Sequence, residues 1–213
     1  MKIKLNQNKI AEALAKNSKM NALITKKVHS IVKEYVHNSQ DQMINEYENH
    51  PVTKEIESGP DASNLSNTLG GVGNLFSYIG FEEGSNPTEI VKKILEDSVE
   101  VSNKPQISAT GKNLKINFPV SAPTIQEIES MTPMPFEGGR SWTRGVEKGI
   151  SGFSNYIFRK FIKNSRSSTG IQSESQVRSG NFKPSPYLSL ILKKFYSKIN
   201  AKINIWNLNL KTS

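Results

Sequence analysis

The sequence predicts an α+β fold: a mostly antiparallel sheet held between long N-terminal and C-terminal amphipathic helices. Three observations predict it. Ile24, Val28, Ile31 and Tyr35 recur at helical spacing near one end, and Leu188, Ile191, Leu192 and Phe195 do so near the other. Between them Leu114, Ile116 and Phe118 alternate with Lys115 and Asn117, the period of a half-buried strand. Thr110-Gly111-Lys112 separates that run from Pro105–Ala109 and supplies a glycine for a hairpin turn.

In chain order, Leu5, Ile10 and Leu14 predict a short helix from Lys4 to Lys16. Asn21 is a candidate N-cap for the next, long helix. Its stripe, widened by Val32 and Val36, continues through Met43, Ile44 and Tyr47 to Asn49-His50-Pro51, where proline forces the preceding residue out of helical geometry. Val52–Glu57 adds a helical turn, and residues 58–74 are rich in Gly, Pro, Asn, Asp and Ser, which is loop chemistry. Leu75–Phe81, with its aromatics, predicts a strand. Asn86-Pro87-Thr88-Glu89 opens a helix whose apolar face is Ile90, Val91, Ile94 and Leu95. Thr124–Ser130 predicts a short helix, while Met131–Gly139 is too rich in proline and glycine for either regular state. Ser141–Phe161 is ambiguous, because its glycines oppose the helical spacing of Phe153, Tyr156, Ile157 and Phe161. Residues 164–181 are polar and predict a loop or a hairpin, and Pro186 opens the last helix, with Lys193, Lys194 and Lys198 facing outward. Ile203, Ile205, Leu208 and Leu210 alternate in a strand-like tail around Trp206. The expected division is one domain over residues 1–200 and a C-terminal extension over residues 201–213.

The chain has 213 residues, of which 35% are hydrophobic, and a net charge of +9. No apolar run approaches the roughly 18 residues that cross a bilayer, so no membrane partner is expected. No apolar stretch follows MKIKLNQNKI, so no signal peptide is expected. Cysteine is absent, which removes disulfides, thiolate metal sites and cysteine nucleophiles. The charge is segregated. Residues 1–33 carry eight lysines against Glu12, residues 34–139 carry sixteen acids against six lysines, and residues 140–213 carry fourteen Lys/Arg against Glu147 and Glu174. A self-assembling protein can set such an acidic block against a neighbour's basic block, since complementary potentials fix register. A solvated charged surface is the plainer account.

Chemistry is hard to find in the sequence. Gly70-Gly71-Val72-Gly73 lacks the Lys-Ser/Thr and helix of a phosphate loop. His29 and His37 lie two turns apart and cannot chelate one ion, and the adjacent acids Glu82-Glu83 and Glu96-Asp97 point apart. No catalytic, cofactor-binding or metal-binding residue is assigned, and a non-enzymatic protein is expected. Arg140, Trp142 and Arg144 form the most suggestive cluster, since Arg and Trp are enriched at interface hot spots. The same cluster can contact nucleic acid through stacking and phosphate pairing, or consist of a core tryptophan flanked by two surface arginines. The three lysines of the last helix fit ordinary amphipathic packing better than a membrane-surface helix. In the tail, Ile203, Ile205, Trp206 and Leu208 form an apolar edge with neither charge nor proline to blunt it, which predicts docking on a neighbouring subunit or ring, the alternative being core packing within its own chain.

The order of motifs resembles the tail-completion and head–tail joining proteins of tailed bacteriophages. A basic N-terminal helix precedes the turn Asn67-Thr68-Leu69-Gly70, and Arg178-Ser-Gly180-Asn-Phe-Lys-Pro184-Ser-Pro186-Tyr-Leu leads into the terminal amphipathic helix. The family has a Thr-Gly-x-Leu-type turn after its first helix and an Arg-Pro-Phe-Leu-type lead into its last. HPVTKEIESGPDASN, GNLFSYIGFE and PFEGGRSWTRGVEKGISGF are similar to virion proteins of phages with AT-rich genomes. This chain departs from the family in having Thr-Leu-Gly at the turn and residues 200–213 beyond the last helix.

The resemblance implies a structural subunit of a neck ring (terminator, stopper or connector) at the head–tail junction of a virion, made in the host cytoplasm. It implies a homo-oligomeric ring, a hexamer, with adjacent neck, connector or tail-tube proteins as partners and genomic DNA passing through its channel. It implies no cofactor. The antiparallel sheet is expected to line or approach the channel, with helices packed outside and between subunits, and loops 58–74 and 164–181 can be disordered in the monomer and order on docking. The alternative is a small basic nucleic-acid-binding protein.

Overall fold

The computed structural model describes residues 18–71, 73–110, 113–135, 137–149, 156–158, 170–172 and 182–200. Helix α1 (Ser18–Glu48) runs 31 residues and is followed by α2 (Pro51–Glu57), a 3₁₀ turn (Gly59–Asp61), α3 (Leu75–Ile79) and α4 (Thr88–Asp97). Then come β1 (Glu100–Val101), β2 (Gln106–Thr110), β3 (Asn113–Asn117) and β4 (Val120–Ser121). Helix α5 (Ile125–Met131), β5 (Pro133–Met134), β6 (Glu137–Ser141) and α6 (Trp142–Lys148) follow, with β7 (Tyr156–Phe158), β8 (Gly170–Gln172) and α7 (Leu188–Ile199).

Helix and strand are mixed, but the expectation of a mostly antiparallel sheet is corrected. Seven α-helices dominate the described residues, and their strands form four separate two-stranded antiparallel pairs. β1–β4 and β2–β3 together form one long arm in which Val101 faces Val120 and Ile107 faces Ile116. Ser102 N–H donates to the Pro119 carbonyl (2.8 Å) between the two pairs. Among the described residues no sheet is wider than two strands.

The main core joins the C-terminal half of α1 (Met43, Tyr47) to Val52 and Ile56 of α2, Leu75, Phe76 and Ile79 of α3, Val91 and Leu95 of α4, and Leu188, Ile191, Leu192 and Phe195 of α7. A second cluster packs Val28 and Val36 of α1 against Val101 and Phe118 of the arm. The long first helix therefore serves two cores along its length. Asn21 lies inside it and is not its cap.

Leu75–Ile79 is a helix where aromatic composition predicts a strand. Asn74 Oδ1 accepts from Ser77 N–H (2.9 Å), and Gly80 ends the helix at φ +92°, left-handed geometry that glycine reaches without strain. These two flanking residues outweigh the β preference of five residues between them. Asn86 is not a backbone cap either; its Oδ1 accepts from the Thr88 hydroxyl (2.8 Å), and Pro87 occupies the cap position. Pro133–Met134 and Glu137–Ser141 pair across a register shift although that stretch predicts no regular structure. Tyr156–Phe158 pairs with Gly170–Gln172, so a strand takes the place of the helical spacing and the polar stretch after it contributes to a hairpin. The hairpin over Thr110–Asn113 and the helix after Thr124 form as expected, the latter with a full capping box between Thr124 and Glu127. The predicted Lys4–Lys16 helix lies outside the described residues.

Candidate interaction surface

The described residues of the loop after α2 are fastened from below by a buried carboxylate. Glu55, 0% exposed, lies on the apolar stripe of α2 beside Val52 and Ile56. Its Oε1 accepts from Leu75 N–H (2.7 Å) and Asn64 Nδ2 (2.9 Å), and its Oε2 accepts from Ser66 N–H (2.6 Å). Three donors satisfy a charge that burial would otherwise make costly. Asn64 Oδ1 in turn accepts from Leu69 and Gly71 N–H, and Asn74 Nδ2 donates to the Pro60 carbonyl (2.7 Å). The described part of this loop is thus bonded throughout within one chain.

The lead-in to the last helix is laid against that loop. Lys183 N–H donates to the Thr68 carbonyl (2.8 Å), and the Phe182 ring stacks on Tyr78 with centroids 5.6 Å apart. Tyr187, at the N-cap of α7, makes no side-chain cap bond. Glu147 of α6 takes that role from another element, its Oε1 accepting from Ser189 N–H (2.8 Å), so that a buried carboxylate meets the positive end of the helix dipole. Ser185 N–H donates to the Val146 carbonyl beside it (2.8 Å).

The cluster Arg140, Trp142 and Arg144 is divided by the change from strand to helix at Ser141. Trp142 points inward at 2% exposure, its ring meeting Phe81 edge-on (5.6 Å). It is a core residue, so the reading that makes it an interface contact is corrected. Arg140 and Arg144 lie on the outer surface. The Ser141 hydroxyl accepts from Arg144 N–H (3.2 Å), and below it Thr132, Ser141 and Thr143 join their hydroxyls in a triangle of 2.7–2.9 Å contacts. That triangle locks the end of α5 to the start of α6.

Over it opens a polar cleft of about 600 Å³, lined by Gln126, Glu129, Ser130, Arg140, Arg144 and Gly149 among others. Glu129 forms its floor at 12% side-chain exposure, bound by Lys148 Nζ (3.1 Å) and approached by Arg144 Nη1 (4.0 Å). Arg144 and Lys148 keep 63% and 54% of their side chains exposed. Two cations thus share the one carboxylate, and Arg140 lies among the lining residues.

The histidines do not converge. His29 packs on Phe118 (4.9 Å), His37 faces Asp41 (3.7 Å) at the surface, and His50 caps α2 by accepting from Val52 N–H (3.3 Å). Burial first, and the Lys194 ammonium second, pull the His50 imidazole below its ordinary 6.5. Among the described residues no group of three His, Asp or Glu could hold a metal ion, and no helix is long and apolar enough to cross a membrane. Ile203, Ile205, Trp206 and Leu208 lie outside the described residues.

Sequence reasoning missed Glu55, Glu129, Glu147 and Lys148. For Glu55 and Glu147 the signal is present: each is an acid next to a fully buried valine or isoleucine on a short amphipathic helix. Comparison with protein-family models, curated proteins and solved structures finds no match for this chain.

Proposed function

We propose that this chain is a structural subunit of a tailed-phage neck, a sixfold ring joining the DNA-filled head to the tail as terminator, stopper or connector. Its partners in that reading are further copies of itself and the adjacent neck, connector or tail-tube proteins, with genomic DNA passing through the ring. One observation carries it. The two segments on which the resemblance rests, Asn67–Gly70 and the lead into the last helix, meet through Lys183 N–H and the Thr68 carbonyl (2.8 Å). Motifs more than a hundred residues apart in sequence thus form one local unit.

Mechanistically, Glu55 and Glu147 pre-order that unit before assembly, so little conformational entropy is lost when subunits dock. The helices, rather than a sheet, supply the surfaces for packing between subunits. Cryo-electron microscopy of purified particles tests the proposal. Density for this chain at the head–tail junction is the expected result, and its absence from intact tailed particles sinks it.

The second reading, a nucleic-acid-binding protein, draws on Arg140, Arg144 and Lys148 around the cleft. It requires that affinity for DNA fall steeply with salt as phosphate counterions are released. Titration at two ionic strengths separates the readings.

A further inference from the structure

We propose that the groove between α5 and α7 seats residues Trp206–Leu210 of a second copy of this chain. The inference rests on the ring reading and names one contact through which the ring would close.

The groove follows α7 from Ser189 to Asn200, a length of about 16 Å along the helix axis. It encloses about 660 Å³, with Leu192 buried at its base and Ile125 and Gln126 of α5 forming the other wall. The capping box fixes the start of α5, and the Tyr196 hydroxyl ties α7 to it by donating to the carbonyls of Ala122 (3.2 Å) and Pro123 (3.0 Å). The groove is therefore built before any partner arrives. Lys193 is the one charged side chain among its described lining residues, and carbon makes up most of the surface it offers. An apolar segment gains more from such a surface than an ionic one.

The chain carries a matching segment shortly after α7. Trp206, Leu208 and Leu210 alternate with Asn207 and Asn209, so an extended backbone would put three apolar side chains on one side and the amides on the other. From Trp206 to Leu210 the extended distance is about 13 Å, within the length of the groove. No charged residue lies between Ile203 and Leu210.

The end of α7 chooses a neighbour's groove over the chain's own. To lie back along α7 the chain would have to reverse at Asn200, and reversals at helix ends use a left-handed residue, usually glycine. Asn200 is instead right-handed (φ −84°, ψ −8°), with its N–H on the Tyr196 carbonyl (3.0 Å). Ala201 and Lys202 follow, neither suited to positive φ, and no glycine or proline occurs from there to Ser213. Continuing outward, the five residues Ala201 to Ile205 reach up to about 17 Å before the first anchor, enough to cross to an adjoining copy. Tail and groove are different surfaces, so the contact is head-to-tail and generates a ring whenever its rotation closes.

The test uses the full chain in sedimentation velocity. Trp206→Asp with Leu208→Asp removes the anchor, and Gln126→Arg with Ser197→Arg blocks the groove at two exposed positions. Each double variant should remain folded by circular dichroism and lose at least about tenfold in self-association. Mixed in equal amounts they should form a one-to-one dimer and nothing larger, because the pair retains a single intact tail and a single intact groove. Should the arginines disturb the fold, Ser197→Tyr alone fills the groove without new charge and reads the same loss. A wild-type chain that stays monomeric overturns the proposal, and a lowered melting temperature of the tail variant would then assign the tail to its own groove. Variants that assemble like wild type, or a mixture that gives no dimer, overturn it as well. These outcomes leave the neck reading standing, since that is decided by density in the particle.

Discussion

Glu55 holds three donors of the following loop with one buried carboxylate. Replacing it with alanine strips the acceptor from Leu75 N–H, Ser66 N–H and Asn64 Nδ2. Orphaned donors cost about 1–3 kcal/mol each where buried, so Glu55→Ala should lose about 2–5 kcal/mol in urea unfolding. Residues 58–74 should become the first site of proteolytic cleavage. Trp142→Ala should lose about 3–5 kcal/mol, the range for a large buried aromatic, with any assembly defect following from stability alone. Retained stability with lost assembly would return Trp142 to the interface. His50 makes the fold sensitive to acid. Its folded-state pKa lies below the 6.5 of a free imidazole, so the unfolded chain binds the proton more readily. The stability it contributes is complete above 6.5 and falls as pH drops below that value toward the folded-state pKa. His50→Asn keeps a cap acceptor without the titration, so its melting temperature should fall less steeply with acid over that window.

At the scale of elements, the structure ends helices with side chains borrowed from other helices. Gln40 of α1 donates through Nε2 to the carbonyls of Leu95 (2.9 Å) and Glu96 (2.7 Å) in the last turn of α4. Tyr35 donates to the Lys198 carbonyl near the end of α7 (3.2 Å), and Glu147 caps the beginning of α7. Each bond satisfies a group that a helix leaves unpaired and ties two elements together. Glu147→Ala should therefore cost about 1–3 kcal/mol, read by chemical unfolding, and Glu147→Gln should recover part of it by keeping one acceptor. If the alanine variant is as stable as wild type, the cap on α7 contributes nothing.

At the scale of the whole molecule, α1 and α7 lie together at the centre. Lys194 pairs with Glu46 (2.9 Å) and Lys198 donates to Gln42 (2.7 Å) along their exposed seam, while Tyr196 reaches back to the carbonyls of Ala122 and Pro123. The described core closes at Phe195, with Ile199 packed against it. A chain ending at Asn200 should accordingly remain folded and monodisperse but fail to assemble, as measured by size-exclusion chromatography with light scattering. Normal assembly of that chain would remove any role for residues 201–213 in docking.

Periodicity determined α1, α4 and α7, because each carries a stripe long enough for burial on one side to decide its state, whereas the short α5 buries only Ile128 and starts on its capping box. Turn chemistry determined the hairpin at Thr110–Asn113 and the break at His50-Pro51. Short elements escaped that reasoning. Leu75–Ile79 became a helix through its caps, and Pro133–Met134 became a strand because β6 offered a partner. The candidate surface was legible only in part. Arg140 and Arg144 stood out beside Trp142, yet only tertiary structure turned the tryptophan inward and set Glu129 against Arg144 and Lys148. Likewise the charge blocks were plain in the sequence, but only the fold set Glu57 of α2 on the Thr88 hydroxyl at the start of α4. Local pattern reports which side of an element is buried; what lies against that side is decided by contacts between residues distant in the chain.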